Sequence, residues 1–205
     1  MNNVLKYFFK SIAYIFHPLL LPTYASLLLF WANPYAFAHI KGGGLGIIPL
    51  IFILTFFFPV FALFLMKKLN FVDDYYLASQ KQRFMPYIAI LIFYIWAYLV
   101  IRKQYLPPVM NWMMLGSCLA ISFAFIVNTF LKISIHSLGA ACLAAVAIAA
   151  HGFALHPFNT ILVIVLLACG LVGSCRIYLK AHQTEEVYAG YMVGFVGMMV
   201  ANWFV

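Results

Sequence analysis

Seven apolar stretches, separated by short polar segments, make up most of this 205-residue sequence. A helix needs about 20 apolar residues to cross a bilayer, and a helix satisfies its own backbone hydrogen bonds in lipid. Charged residues are only 8% of the chain, against about 25% in an average globular domain. The sequence therefore predicts an all-α, multi-span transmembrane helix bundle with six to seven spans. The predicted spans are residues 12–32, 46–66, 86–101, 109–131, 135–151, 158–175 and 187–204.

The polar segments between the spans are too short to form a soluble domain. We predict one transmembrane domain over residues 1–205, with N-terminal spans over 12–66 and a core over about 80–205. The first apolar stretch is longer than a cleaved signal peptide, so we interpret it as an uncleaved span. Small residues crowd the fifth span, which we expect to pack inside the bundle. The four cysteines lie in apolar segments and lack metal-ligand spacing, which indicates packing residues.

Ionisable side chains are scarce, and the chain has only four carboxylates. An ionised group at the centre of a membrane helix costs roughly 2.5–3.5 kcal/mol on insertion scales. We therefore expect these groups where water reaches them or where they take part in function. The most informative segment is GSCRIYLKAHQTEEVYAG, where five residues separate Arg176 from His182 and three separate His182 from Glu186. The net charge of +8 comes without a basic stripe among exposed aromatics, so we expect no nucleic-acid partner.

The order of the spans assigns each polar segment to one side of the membrane. With seven spans, the segments 67–85, 132–136 and 176–186 share the side of the N-terminus, which we call side one. The loops 33–45 and 102–108 fall on the opposite side, side two, together with the loop before the sixth span. The spans therefore place five candidate residues on one face, namely Arg83, His136, Arg176, His182 and Glu186.

Two histidines, fixed cations and a carboxylate are the groups that phosphoryl transfer without a metal needs. Arginine matches phosphate oxygens in a bidentate way, and cations stabilise the charge that develops in the transition state. One histidine can attack phosphorus while a carboxylate fixes its tautomer, and the other can protonate the leaving alcohol and then activate water. His182 and Glu186 are four residues apart, so they share a face if the helix begins near His182.

These segments resemble the motifs of the type 2 phosphatidic acid phosphatase family of integral membrane lipid phosphatases. Its three motifs are Lys-x6-Arg-Pro, Pro-Ser-Gly-His and Ser-Arg-x5-His-x3-Asp. Arg176, His182 and Glu186 keep the spacing of the third motif, with Glu in place of Asp. Ser134 and His136 keep the serine and the histidine of the second motif, which here lacks its proline and glycine.

The first motif is represented by Arg83, whose proline is Pro86, three residues further on. Tyr76 stands where the family has its lysine, and Lys81 or Lys132 is the candidate replacement for that cation. The resemblance extends over residues 80–195 and identifies the core as similar to that of this family.

The resemblance implies a role for each site residue. His182 would be the nucleophile, His136 the general acid, and Glu186 the group that orients His182. The implied phosphate-binding residues are Arg176, Arg83 and Ser134, with Lys81 and Lys132 as additional candidates. The resemblance implies no metal and no other cofactor.

The expected substrate is a lipid phosphate taken from the surrounding membrane lipids. Phosphatidic acid, phosphatidylglycerophosphate, a polyprenyl phosphate or diphosphate and a lipid A phosphate are all candidates. We expect a multi-pass protein of the cell (inner) membrane, and the sequence does not indicate an oligomeric state. Of twelve Lys and Arg residues, only Lys41, Arg102 and Lys103 fall on side two, which favours a cytoplasmic site. Bacterial lipid phosphatases of this family typically work on the outer face, and both faces stay open.

Several alternatives accompany this hypothesis. His182 and Glu186 could ligate a metal together with His136, although two nearby arginines would repel a cation. A transporter or flippase would show repeat symmetry and charges near the membrane midplane. A catalytically degenerate family member would bind phospholipid without hydrolysing it. The other histidines are interpreted as interfacial residues and the aspartate pair as loop structure; they are His17, His39, His151, His156, Asp73 and Asp74.

Overall fold

The structure is a computed structural model that describes residues 3–40, 44–72 and 80–205. Asp73, Asp74, Tyr76 and Lys41 lie outside these ranges. The described residues form helices and connecting turns, without a strand. The helices are α1 (Asn3–Ile15), α2 (Leu21–Ala32), α3 (Ile47–Phe52), α4 (Phe58–Lys68), α5 (Phe84–Arg102), α6 (Pro108–Val127), α7 (Ile135–Phe153), α8 (Asn159–Tyr178) and α9 (Thr184–Ala201).

Six helical stretches in the described part of the chain are long and apolar enough to cross a membrane. They are Val4–Ala32, Ile47–Lys68, Lys81–Arg102, Pro108–Val127, Ile135–Phe153 and Asn159–Tyr178. The second stretch consists of α3 and α4 joined by the π-helical turn Ile53–Phe57. Helix α9 corresponds to the seventh predicted span and is not among these six stretches; two glutamates lie in its first turn. The predicted all-α bundle of a multi-pass membrane protein is confirmed.

The predicted first span is broken by a turn near its start. Helix α1 ends at Ile15, and a short 3₁₀ turn, Pro18–Leu20, separates it from α2. Proline has no backbone N–H and its ring clashes with the preceding turn, and Pro18 interrupts the α-helix here. His17 caps the new turn, because its Nδ1 accepts a hydrogen bond of 3.4 Å from the Leu19 amide.

Helix α9 fits between α6 and α7 because it presents glycines to both. A Cβ atom at Gly190 or Gly194 would collide with backbone carbonyl oxygens of the first turns of α7, and one at Gly197 would collide with the backbone of Ala120 in α6. Glycines four residues apart permit this close backbone approach in membrane helices. One turn before Gly190, the carbonyl oxygen of Glu186 accepts a hydrogen bond of 3.0 Å from the Ser134 amide. The starts of α7 and α9 are thereby joined.

Helix α7 is the most enclosed of the six candidate spans. In its most apolar part 61% of the residues are buried, whereas in the corresponding part of α8 only 22% are buried. The small residues of α7 let α2, α8 and α9 pack closely around it. The expectation that the fifth span lies inside the bundle is confirmed.

Candidate functional site

One cavity at the side-one end of the bundle brings together residues from four parts of the chain. Its volume is about 150 Å³. Arg83 comes from the turn before α5, His136 from the first turn of α7, Arg176 from the last turn of α8, and His182 from the α8–α9 connection. All of them line the cavity, and so does His17 from the break between α1 and α2.

Polar segments that were predicted to share a side of the membrane contact one another in the structure. On side one, Arg83 donates a hydrogen bond to the Ile133 carbonyl, and Asn128 donates one to the Gln80 carbonyl. On side two, the 33–45 segment meets the 102–108 loop where His39 Nε2 lies 2.7 Å from the Tyr105 carbonyl oxygen. The polar segments therefore group as the order of the spans predicts.

A short hydrogen bond orients His182. Its Nδ1 lies 2.6 Å from Oε2 of Glu186, which also accepts a hydrogen bond of 3.3 Å from the Gln183 amide in a capping box at the start of α9. A carboxylate only accepts, so Nδ1 carries a proton and Nε2 of a neutral His182 keeps a lone pair. Glu186, not the exposed Glu185, makes this contact. An imidazole held in this way by a carboxylate can act as a nucleophile or as a general base.

The surroundings of His182 keep its ring neutral. Burial lowers its pKa by disfavouring the imidazolium, and the charges of Arg83 and Arg176 lower the pKa further. The hydrogen bond to Glu186 acts in the opposite direction. The net direction is downward from the usual histidine value, so Nε2 is unprotonated at neutral pH.

The two arginines differ in what already binds them. Arg83 is only 5% exposed, and its Nη1 donates a hydrogen bond of 2.7 Å to the Ile133 carbonyl. The Nε of Arg176 is buried and has no hydrogen-bond partner among the described residues. A buried donor without a partner costs free energy, and an anion in the cavity would remove that cost. Arg176 therefore has donor capacity for a ligand.

The rings of His136 and His17 lie next to each other in the cavity wall, edge to face, with ring centroids 5.7 Å apart. Nε2 of His136 lies 3.2 Å from the carbonyl oxygen of Ala13 at the end of α1. A carbonyl only accepts, so this nitrogen is protonated and Nδ1 of His136 is left for acid–base chemistry. Nδ1 of His17 accepts from the Leu19 amide, so a neutral His17 carries its proton on Nε2.

Three predicted phosphate-binding residues lie outside this cavity. Ser134 is fully buried as the N-cap of α7, where its Oγ accepts hydrogen bonds from the Ser137 amide and hydroxyl. Lys81 is exposed on the turn before α5. Lys132 lines a shallower depression with Lys180, on which His182 and Glu186 also border. The structure thus does not place these three side chains in the cavity with the two arginines.

The position of His17 differs from its interfacial interpretation. The structure places it in the cavity beside His136, whereas His39 and His156 bond backbone carbonyls on side two and His151 is exposed. The available signal was Pro18: a proline inside an apolar stretch interrupts the helix, and the residue before it leaves the α conformation. Among the described residues, no cluster of three or more His, Cys, Asp or Glu is placed to hold a metal ion.

Comparison of the chain with protein-family models, with curated proteins and with solved structures gives no match.

Proposed function

We propose that this membrane protein is a lipid phosphatase that works without a metal ion through a phosphohistidine intermediate on His182. The observation that carries the proposal is the 2.6 Å hydrogen bond between Glu186 and Nδ1 of His182, a residue that lines the cavity together with two arginines and two further histidines. The bond leaves Nε2 as the nitrogen that can attack phosphorus. The resemblance of the same residues to the motifs of the type 2 phosphatidic acid phosphatases supports this reading.

The first half-reaction transfers the phosphoryl group to His182. Its Nε2 lone pair forms a bond to phosphorus, and the bond from phosphorus to the lipid oxygen breaks. The proton on Nδ1 of protonated His136 passes to that oxygen, so the lipid leaves as a neutral alcohol. The Glu186 carboxylate stabilises the positive charge that develops on the His182 ring.

The second half-reaction restores both histidines. Neutral His136 removes a proton from water, and the oxygen attacks the phosphohistidine phosphorus. The phosphorus–nitrogen bond breaks, inorganic phosphate forms, and the electron pair returns to Nε2 of His182. The proton that His136 gave to the lipid is thereby replaced, and the cycle needs no further reactant.

The arginines and His17 supply the anion-binding side of the cavity. The planar guanidinium of Arg176 can donate to two phosphate oxygens, and Arg83 adds a positive charge held against the α6–α7 connection. His17 adds an Nε2–H donor that the proposed mechanism uses only for binding. These groups neutralise charge on the phosphoryl oxygens as it develops.

The proposed substrates are phosphomonoester or diphosphate lipids. The connections between the helices are short, so little protein is present outside the bundle to recognise a large polar headgroup. Phosphatidic acid, phosphatidylglycerophosphate and polyprenyl phosphate or diphosphate are the candidates, in the cell (inner) membrane. The excess of Lys and Arg on side one favours a cytoplasmic site.

The test is a phosphate-release assay over a panel of lipid phosphates in detergent, with and without EDTA. We expect activity that resists EDTA and is absent from His182→Ala. His151→Ala, an exposed histidine outside the cavity, is the matched control and should retain full activity. Activity that disappears with EDTA, or that survives in His182→Ala, would overturn the mechanism.

A further inference from the structure

The cavity that contains the charged residues continues into the apolar interior of the bundle. Beyond the histidines and arginines, its walls are formed by residues of α2, α4, α5, α6 and α7. The deepest wall residues on three of these helices are Ala25, Tyr94 and Val146, each at most 4% exposed. All charged groups of the cavity lie at its side-one end, so the cavity has one polar end and one apolar end.

The lining residues along α7 and along α5 extend over similar distances into the bundle. On α7 the lining runs from His136 to Val146, and along α5 it runs from Arg83, in the turn before the helix, through Ile90 to Tyr94. At a rise of 1.5 Å per residue, both distances are about 15 Å along the helix axis. The apolar part therefore reaches roughly to the middle of a hydrocarbon core about 30 Å thick.

The deep part offers few polar groups to a ligand. The hydroxyl of Ser117 is bonded to the carbonyl of Met113 in its own helix, at 2.8 Å, and the thiol of Cys142 is bonded to the carbonyl of Gly194, at 3.7 Å. Tyr94 adds one phenolic hydroxyl to this wall. The wall between α2 and α7 is closed, since a Cβ atom at Gly139 would collide with the side chain of Leu21. A cavity with so few polar groups attracts water weakly and accepts apolar ligands.

We propose that this cavity binds the single hydrocarbon chain of a lipid phosphate while the phosphate occupies the charged end. This inference rests on the proposed function. The substrate class is then a phosphate or diphosphate on one linear or isoprenoid chain. A diacyl lipid would have to pass its second chain through a wall of packed helices. Val146 and Ala25, at the deep end, set the longest chain that fits.

The expected signal is a length limit rather than a steady gain in affinity. A detergent micelle is as apolar as the cavity, so each added methylene gains little when the chain moves from one to the other. A chain longer than the cavity, however, meets the deep wall and displaces the phosphate from His182.

The activity test compares alkyl monophosphates of increasing length, isoprenyl monophosphates and diacyl phosphatidic acid in one detergent. We expect wild-type kcat/KM to be at least tenfold higher for single-chain substrates than for the diacyl lipid, and to fall beyond a limiting length. Val146→Phe should lower kcat/KM at least tenfold for chains near that limit and leave the shortest chains unchanged. The linear and isoprenyl series distinguish which kind of chain the cavity accepts.

The matched control is Ile148→Phe, on the same helix but 53% exposed on the outer surface of the bundle. It should keep the wild-type length profile. Ala25→Leu is a second, milder variant, on the α2 wall, in case Val146→Phe does not fold; it should also shorten the limit. Equal turnover of the diacyl lipid, or one length profile shared by wild type and the folded cavity variants, would overturn the inference.

A binding test separates this inference from the proposed function. Non-hydrolysable alkylphosphonates should raise the unfolding temperature of wild type and Ile148→Phe up to the limiting length. In Val146→Phe, or in Ala25→Leu, the limit should move to shorter chains. If wild type released no phosphate from any lipid but showed this pattern, the phosphatase would be wrong and the chain site would stand. If no phosphonate of any length changed the unfolding temperature, the chain site would be wrong.

Discussion

The carboxylate of Glu186, in the first turn of α9, holds the ring of His182 through one hydrogen bond of 2.6 Å to Nδ1. The same carboxylate oxygen accepts the Gln183 amide, and the Glu186 carbonyl accepts the Ser134 amide from the start of α7. The partner of His182 is thus held by α9 and α7 together. A proposed nucleophile oriented in this way has little freedom to turn its Nε2 away from the cavity.

Glu186→Gln should reduce kcat strongly without preventing folding. An amide cannot stabilise the imidazolium charge, and it can hold the ring in the wrong tautomer; loss of such a carboxylate reaches about 10⁴-fold in hydrolases with a histidine base. Glu185→Gln, one residue away and exposed, is the control and should retain wild-type kcat. Steady-state phosphate release measures both. Similar losses in the two variants would contradict the assigned role of Glu186.

Arg176→Leu should eliminate activity while preserving or raising the unfolding temperature. The variant removes a buried Nε that has no partner among the described residues, along with the repulsion between this arginine and Arg83. Arg83→Leu should also eliminate activity, but it leaves the Ile133 carbonyl without its donor, at a cost of about 1–3 kcal/mol.

Thermal unfolding of the purified variants in detergent compares these two arginines. Arg102→Leu, at the side-two end of α5, is the control for loss of a positive charge and should retain activity. An Arg176→Leu variant that unfolds at a lower temperature than Arg83→Leu would show that Arg176 is structural, against the assignment of its free donor to a ligand.

His17→Asn distinguishes two roles of His17, as the cap of the 3₁₀ turn and as a residue of the cavity wall. Asparagine can accept the Leu19 amide and preserve the cap of the 3₁₀ turn, but it removes the imidazole from the cavity. If Nε2 of His17 binds the substrate phosphate, His17→Asn and His17→Ala should both lose about tenfold in kcat/KM, the value of one hydrogen bond to an anion. His17→Ala should in addition unfold at a lower temperature. Full activity in His17→Asn would instead show that His17 only caps the turn.

Gly190→Ala should destabilise the bundle and reduce activity, because the added methyl collides with the Ser134 carbonyl and separates α9 from α7. Overpacking of this kind costs about 1–3 kcal/mol. Gly170→Ala is the matched control: a Cβ atom there meets no neighbouring atom, and alanine is favoured over glycine in a helix by about 0.5–1 kcal/mol. Thermal unfolding and phosphate release measure both variants. A Gly190→Ala protein as stable as Gly170→Ala would show that α9 does not depend on this contact.

The grouping of the site residues was predictable from local properties of the chain. Whether a polar segment lies on one side or the other depends on the number of apolar stretches before it, and each stretch is recognisable from its own composition. The placement of Arg83, His136, Arg176 and His182 at one end of the bundle follows from that count. The contact of His182 with Glu186 was predicted from their spacing of four residues, although α9 begins at Thr184 and His182 lies just before its N-cap, Gln183.

Other features depend on contacts between residues far apart in sequence. Ser134 shares its motif with His136, yet its hydroxyl accepts hydrogen bonds from Ser137 as the cap of α7 and does not line the cavity. The tautomer of His136 is set by the carbonyl of Ala13, 123 residues earlier in the chain. No spacing rule predicts such a partner, because it depends on how α1 lies against α7.

By itself, then, the sequence determined a helical membrane bundle with His136, His182, two arginines and Glu186 at one end, because apolar length and helical spacing are properties of single segments. The tertiary structure alone decided that His17 joins them, that Arg176 has a buried nitrogen without a partner among the described residues, and that an apolar cavity continues about 15 Å beyond the charged end. These features arise from how five or more helices pack around one space, and packing depends on the shapes of residues distant in sequence.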